Sequence, residues 1–340
     1  MKKIYIVTGA TGFIGSTIVK KLIEQDEEVV LFCQSEKKYN EVFANFKDDI
    51  RHIVFGCVTN PEKVEELFAF HSSITNCQFI VIHAAAVIYL GEKRRLVQRM
   101  RDININGTKN IINACIKHNA RLIYISSVHA LPEPERIEIR ETTNFCERAV
   151  PGSYSKTKAI TTKMVFEAVK NENLDAVIVH PSGVIGPNDP SNTQTTYMAK
   201  NFMADRINIG MKKGYDFVDV RDVADAIINA VENGKKGENY FLTSGFFSTI
   251  EVLNFMAKAA GKKEIKRQVP YWVAVAGLPF LSFWFKLRKK DPLFTYEQLR
   301  IMKKDIRFSN QKAKDHLGFS PRKVEESLKD LIDDLKEKKV

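Results

Sequence analysis

Short apolar runs alternate with longer amphipathic stretches through the first half of the chain. Ile4 to Val7, Glu28 to Phe32, His52 to Phe55, Phe79 to Ile82, Leu122 to Ile125 and Ala176 to His180 are rich in β-branched and aromatic residues. They read as buried strands. Between them the apolar positions fall at helical spacing. Ile14, Ile18 and Leu22 share one face, and Pro61 opens a helix that turns Val64, Leu67 and Phe68 inward. A long helix is predicted over Arg101 to His118 and another through Tyr154. This alternation predicts an α/β fold, a doubly wound parallel sheet with helices on both faces and ligands at the carboxyl ends of its strands. Beyond Asn188 the regularity loosens. Phe217 to Val220 is strand-like and runs into a helix over Arg221 to Glu232, Tyr240 to Leu242 is another strand, and the rest is mainly helical. In the last helix Ser320 is the expected cap and Pro321 the first turn, with Val324, Leu328, Leu331 and Leu335 on one face.

The first strand ends in Thr8-Gly9-Ala10-Thr11-Gly12-Phe13-Ile14-Gly15 and a helix follows. In that context the first glycine permits the tight turn, the second lets backbone N–H groups reach a pyrophosphate, and the third lets helix and strand pack closely. The stretch therefore marks a dinucleotide site. At the end of the second strand, Cys33-Gln34-Ser35-Glu36-Lys37-Lys38 has no carboxylate directly at the strand end but two lysines close by. That leans toward NADP, with NAD the alternative. The chain divides accordingly: residues 1–180 form the nucleotide-binding domain, 215–242 return to it, and 181–214 with 243–340 form a smaller substrate-binding region. Ala84, Ala85 and Ala86 end the fourth strand and let a flat ligand lie against the backbone. Ser126 and Ser127 end the fifth, one of them a candidate for catalysis.

Tyr154 and Lys158 stand four residues apart, so a helix projects phenol and ammonium from one face. A free tyrosine has a pKa near ~10, and a lysine cation held close favours the phenolate and draws that value down. The pair is a proton-transfer device.

Composition changes this picture little. Hydrophobic residues at 44% and charged residues at 27% are ordinary for a globular chain of 340 residues. The net charge of +11 is spread over scattered lysines with acids between them. No stripe interleaves basic and aromatic residues, so a nucleic-acid partner is not expected; the charge helps attract an anionic cofactor. Five cysteines (33, 57, 77, 115, 146) with no Cys-x-x-Cys pair argue against a disulfide framework and a structural zinc site, and no metal is expected. Met1-Lys2-Lys3 runs directly into the first strand without a secretory signal, and the expected location is cytoplasmic. Val269 to Phe285 carries no charge, is interrupted by Pro270, Gly277 and Pro279, and is followed by Lys286-Leu287-Arg288-Lys289-Lys290. It reads first as a pocket wall or subunit contact, then as a membrane-surface contact through 269–290, and last as a span, for which it is short.

In order and separation, TGATGFIG (8–15), HAAA (83–86), NINGT (104–108), ISS (125–127), YSKTK (154–158), HPSGVIGP (180–187), FVDVRDVADA (217–226) and KAKDHLGFSP (312–321) resemble the extended short-chain dehydrogenase/reductases of the NAD-dependent epimerase/dehydratase superfamily. The resemblance implies a Rossmann-type domain. It implies Tyr154 as general acid/base, Lys158 as its pKa-lowering partner and ribose ligand, and Ser127 as the hydroxyl that holds the substrate oxygen. Gly9, Thr11, Gly12, Phe13, Ile14 and Gly15 would cradle the pyrophosphate, with Gln34 and Lys37 at the adenosine ribose. Val58 would meet the adenine, Ala84 to Ala86 would back the cofactor, and Pro181, Gly183 and Val184 would line the nicotinamide. Asn104 matches a structural asparagine. Cys57 replaces a common aspartate, His180 an arginine, and Tyr215 the arginine that sugar-nucleotide enzymes direct at a diphosphate. FVDVRDVADA is most similar to the dihydroflavonol reductase, 3β-hydroxysteroid dehydrogenase and aldehyde reductase branch. That implies hydride exchange with a hydrophobic carbonyl or secondary alcohol, and a homodimer is plausible by resemblance. A sugar-nucleotide epimerase or dehydratase and a non-catalytic NADP-binding sensor or scaffold are the alternatives.

Overall fold

A computed structural model describes residues 2–70, 77–91, 93–132, 138–287, 296–303 and 305–338, with the side chains of 281–287, 297 and 298 left aside. Its strands are β1 (Lys2–Thr8), β2 (Glu28–Cys33), β3 (His52–Phe55), β4 (Cys77–His83), β5 (Arg121–Ile125), β6 (Glu138–Ile139), β7 (Ala176–Pro181), β8 (Gly183–Ile185), β9 (Gly214–Asp219), β10 (Asn239–Leu242), β11 (Gly245–Ser248) and β12 (Arg307–Phe308). Seven of them form one sheet in the order β10-β7-β5-β4-β1-β2-β3, with every pairing parallel. This is the doubly wound Rossmann-type architecture expected. Side chains alternate across the sheet, so each strand supplies two cores. Tyr5, Val7, Ile80, Ile82, Ile123 and Ile125 face one way, against Ile18, Leu22, Val223 and Ile227. Ile4, Ile6, Val81, Leu122, Tyr124 and Ile178 face the other, against Leu67, Ile111 and Val165. Burying each such aliphatic side chain contributes about 1.5–3 kcal/mol, which is why both faces must be covered and why these runs look continuous rather than alternating.

The chain passes from β3 back across β1 to β4, so the winding reverses between β1 and β4 and opens a crevice at their carboxyl ends. The predicted helix over 101–118 is longer than expected. It begins at Arg94, widens into one π turn over Asp102–Asn106, and resumes as α-helix over Gly107–Lys117. The wide turn carries the buried side chain of Asn104, a placement that π turns frequently serve.

A second, three-stranded sheet, β11-β9-β8, lies beyond the first. The segment 215–242 is split between the two. Strand β9 joins the small sheet, while the Val220–Asn233 helix packs on the large one and β10 forms its edge. Helices Gln194–Met203, Thr249–Ala260 and Val324–Glu337 close a separate core around Phe202, Leu253, Met256, Leu328 and Leu331.

The last helix starts later than Ser320-Pro321 suggests: its cap is Lys323 and its first residue Val324. Tertiary contacts win over the local signal. The Arg322 backbone N–H donates to Asp222 Oδ2 at 2.8 Å and its guanidinium reaches Asp222 Oδ1 at 2.7 Å, holding the segment extended against the Val220–Asn233 helix. Asp222 is buried, so its removal leaves two donors without their acceptor. Asp222→Ala should destabilise the protein by about 1–3 kcal/mol in urea unfolding; an unchanged midpoint would show that the clamp contributes nothing.

Candidate active site

The crevice between β1 and β4 is shaped for a dinucleotide. Gly9 has φ of 66°, and a Cβ there would sit 2.7 Å from the backbone of Ala85. A Cβ on Gly15 would collide with the Gly9 carbonyl oxygen. The Phe13–Glu24 helix has Gly12 as its cap, no side chain capping its first N–H groups and no acid in its first turn. Those N–H groups and the helix dipole therefore face the crevice uncompensated, which suits a diphosphate. Thr11 is buried inside the turn and Ile14 is half-buried beside it.

A chain of hydrogen bonds closes the floor. Ala85 N–H donates to Thr8 Oγ1 at 3.3 Å, and Thr8 Oγ1 lies 2.7 Å from His83 Nδ1. On the other side His83 Nε2 lies 3.0 Å from Thr108 Oγ1, which donates to the Asn104 carbonyl at 2.6 Å. Since the Thr108 proton is committed, His83 must donate from Nε2 and accept at Nδ1. It is neutral, because burial pushes its pKa down to about 3. Asn104 bonds both backbone groups of Val87 and reaches Thr157 Oγ1 at 3.1 Å, and Thr157 in turn donates to the Tyr154 carbonyl. The loop after β4 and the helix carrying Tyr154 are thereby held by one side chain.

That helix spans Ser153–Asn171 and starts from Gly152, whose φ of 78° suits glycine. Ser127, Tyr154 and Lys158 are all buried. The Ser127 hydroxyl hydrogen-bonds the Tyr154 phenol, and Lys158 Nζ donates to the Ile125 carbonyl at 2.7 Å and sits 5.3 Å from the centre of the Tyr124 ring. The expected lowering of the tyrosine pKa is not what the geometry produces. Burial raises the Tyr154 pKa, the Ser127 hydrogen bond opposes this only in part, and burial brings Lys158 down to about 7. Desolvation outweighs pairing, so the resting phenol holds its proton. His180 donates from Nδ1 to the Ser127 carbonyl at 3.1 Å and stacks on Phe145. It thus fixes the end of β5, a role its position in the sequence did not signal.

The remaining expected contacts are more mixed. Gln34 and Lys37 are exposed at the end of β2, where Ser35 caps the next helix. Lys38 Nζ reaches across to Ser191 Oγ at 3.5 Å. The Val58 carbonyl already accepts from Asn110 Nδ2 at 3.0 Å, and the Cys57 thiol accepts from Thr59. Pro181 ends β7, and Gly183 and Val184 pair with Phe217 and Val218 on β9. Beside these residues lies a cavity of about 560 Å3, bordered by Val128, Ser155 and Gly183, the chain neighbours of the buried hydroxyls and of the expected nicotinamide wall. Its far wall comes from the apolar run: Tyr271, Trp272, Val275 and Ala276 on the Tyr271–Leu287 helix. Arg288 to Lys290, the basic end of that run, lie outside the described residues.

Comparison with known proteins agrees with this arrangement. The model of the NAD dependent epimerase/dehydratase family matches residues 5–242. The chain belongs to that family. As a member it is an enzyme of nicotinamide-dependent oxidation and reduction at carbon–oxygen centres, using NAD or NADP. It is 24% identical to Sterol demethylase protein B of Methylococcus capsulatus, covering 96% of each chain. It is 27% identical to 2-alkyl-3-oxoalkanoate reductase of Shewanella oneidensis, over 96% of this chain and 84% of that one. The crystal structure of gox2253 superposes with a TM-score of 0.81 at 26% identity, covering 98% of both chains.

Two residues of the family member's cavity wall were not singled out in the sequence as site residues, His129 and Asp216. Burial lowers His129 to about 4 and raises Asp216 to about 7. Asp216 Oδ1 and the neighbouring Ser182 Oγ are buried without a hydrogen bond of good geometry, although the Ser182 hydroxyl and the Gly245 N–H still favour the ionised acid. The unfolded acid titrates near ~3.9, so between about pH 4 and 7 the unfolded chain releases a proton that the folded one keeps. Stability contributed here is lost as pH rises through that window. Asp216→Asn should therefore melt higher than the native protein at about pH 8 and no higher at about pH 4. A melting-temperature difference independent of pH would show that Asp216 titrates normally.

Proposed function

We propose that the protein reduces a carbonyl of a hydrophobic small molecule, or oxidises the corresponding secondary alcohol, with NADP as the preferred coenzyme and Tyr154 as general acid/base. The observation that carries this reading is the apolar cavity beside the buried Ser127–Tyr154–Lys158 group. Sugar-nucleotide enzymes need a cation for the diphosphate, and Tyr215 stands where their arginine is expected. The names of the two relatives, one tied to sterols and one to alkyl-substituted oxo acids, point the same way.

The uncapped helix mouth, the glycine turn and the half-buried Ala84 and Ala85 fit a dinucleotide, with Gln34 and Lys37 at its ribose end and Pro181, Gly183 and Val184 at its ring. When bound, the nicotinamide supplies or accepts the hydride. The chain's own residues handle the proton. Ser127 holds the substrate oxygen and the protonated Tyr154 donates to it. Loss of that proton leaves a phenolate, which raises the pKa of the adjacent Lys158 above its depressed resting value and recruits its positive charge. The buried surroundings that keep the phenol protonated at rest thus become favourable to an ion pair only during turnover. Walls of apolar side chains exclude water from the exchange.

Tyr154→Phe should keep NADPH binding, followed by quenching of protein fluorescence, and lose turnover by about 10²–10⁴. Turnover comparable to the native protein would remove Tyr154 from the chemistry. A spectrophotometric screen of NADPH and NADH against aldehydes, flavonoid-like ketones and steroid ketones should show faster consumption of NADPH. Tightly held NAD with no net consumption, and activity on a nucleotide sugar, would favour the epimerase alternative instead. Lys37→Glu with Lys38→Glu should raise KM for NADPH much more than for NADH, and an equal rise for both would argue against a phosphate contact there.

A further inference from the structure

The Tyr271–Leu287 helix has an apolar face that the protein leaves uncovered. Trp272, Ala276, Pro279 and Phe280 are all exposed, and their spacing of four, seven and eight places them on one side. Trp272 is 71% and Phe280 75% exposed. The other side is conventional core, with Tyr271, Ala274, Val275 and Leu278 against Met211, Leu299 and Met302. The uncovered face also leads into the cavity, since Trp272, Ala276 and the 61% exposed Tyr296 border it. Large apolar side chains grouped at the mouth of an apolar cavity are unlike scattered surface hydrophobics and mark a site of contact.

The charges around this face choose the partner. Lys212, Lys266 and Arg267 are exposed on the two segments joined by the Gly210–Gln268 bridge, from which the helix departs. Arg300 and Lys303 are exposed on the cavity rim. Of the acids nearby, Asp305 is paired with Lys213 at 2.8 Å, and Glu264 is exposed. A second copy docking here about a two-fold axis would bring the same cations together, which is costly. An anionic lipid surface offers apolar depth for the aromatic side chains and negative headgroups for the surrounding cations. Among the described residues no helix is long and apolar enough to cross a membrane, so the helix would lie in the interface.

We propose that the exposed face of the Tyr271–Leu287 helix docks on anionic membrane surfaces and brings the mouth of the cavity to the lipid. Docking follows from the surface alone. Delivery of a hydrophobic substrate from lipid to cavity rests in addition on the function proposed above.

The chain has two tryptophans, Trp272 and Trp284, both in this helix, so intrinsic fluorescence reports on it directly. The full-length protein, without coenzyme or substrate, is mixed with phosphatidylcholine vesicles with or without phosphatidylglycerol. The same vesicles are also prepared with acyl chains brominated near the headgroup. Expected results are co-sedimentation that requires phosphatidylglycerol and weakens with salt, and quenching of fluorescence by the brominated lipid. Phe280→Glu should lower vesicle affinity at least about tenfold while leaving circular dichroism and melting temperature unchanged. Absence of sedimentation, sedimentation without quenching, or native affinity in the Phe280→Glu variant would each overturn the proposal. So would self-association without lipid that Phe280→Glu abolishes, which would assign the face to a second copy. Because no turnover is read, failure of the oxidoreductase reading cannot be mistaken for failure of docking.

Discussion

Lys158 brings an amine into a place with almost no water, and the surrounding architecture is arranged to make this tolerable. Its Nζ donates to the carbonyl of Ile125, a group left over where β5 stops pairing, and rests near the face of Tyr124. Burying an unpaired charge costs several kcal/mol, so the amine gives up charge instead, which is what a pKa of about 7 means. The same desolvation keeps the Tyr154 phenol protonated. Both groups rest near neutrality and become an ion pair only when the proton leaves. The Rossmann-type sheet supplies the conditions for this. Parallel strands ending together, covered on both faces, create a floor whose last carbonyls are dry and available.

Precision in that floor comes from uncharged polar groups. Thr8, His83, Thr108, Asn104 and Thr157 form a continuous path from the glycine turn to the catalytic helix. Each donor has one acceptor, and the path defines the tautomer of its only imidazole. In a low-dielectric interior such a fully satisfied network is rigid, and a gap in it is expensive. Strand ends that each bring one hydroxyl or imidazole to the same crevice are thereby locked in register.

Much of this was legible in the residues. Apolar runs with few polar breaks gave every strand of the large sheet except its exact ends, because strands buried on two faces have no other composition open to them. The glycine turn was legible because its conformation and its close approach to Ala85 exclude side chains. What could not be read were effects settled by distant contacts. Ser320-Pro321 is a good local cap, but Asp222, far away in sequence, holds Arg322 extended and delays the helix. The spacing of Tyr154 and Lys158 revealed partnership without revealing how dry their surroundings are, so the direction of the phenol's shift was misjudged. The cavity wall at Asp216 needed the second sheet, whose strands come from separate parts of the chain.

The π turn at Asp102–Asn106 has a consequence for how this helix can change. A turn of five residues accommodates one more than the regular ladder, and that surplus sets the rotational phase of everything after it. Deleting a single residue there would let ordinary helix re-form while swinging Gly107 and Thr108 about 100° around the axis. A side chain would then be forced against Val58, where glycine alone fits, and His83 would lose its acceptor. The helix is accordingly permissive toward exchange of its solvent-facing residues but intolerant of a change in its length.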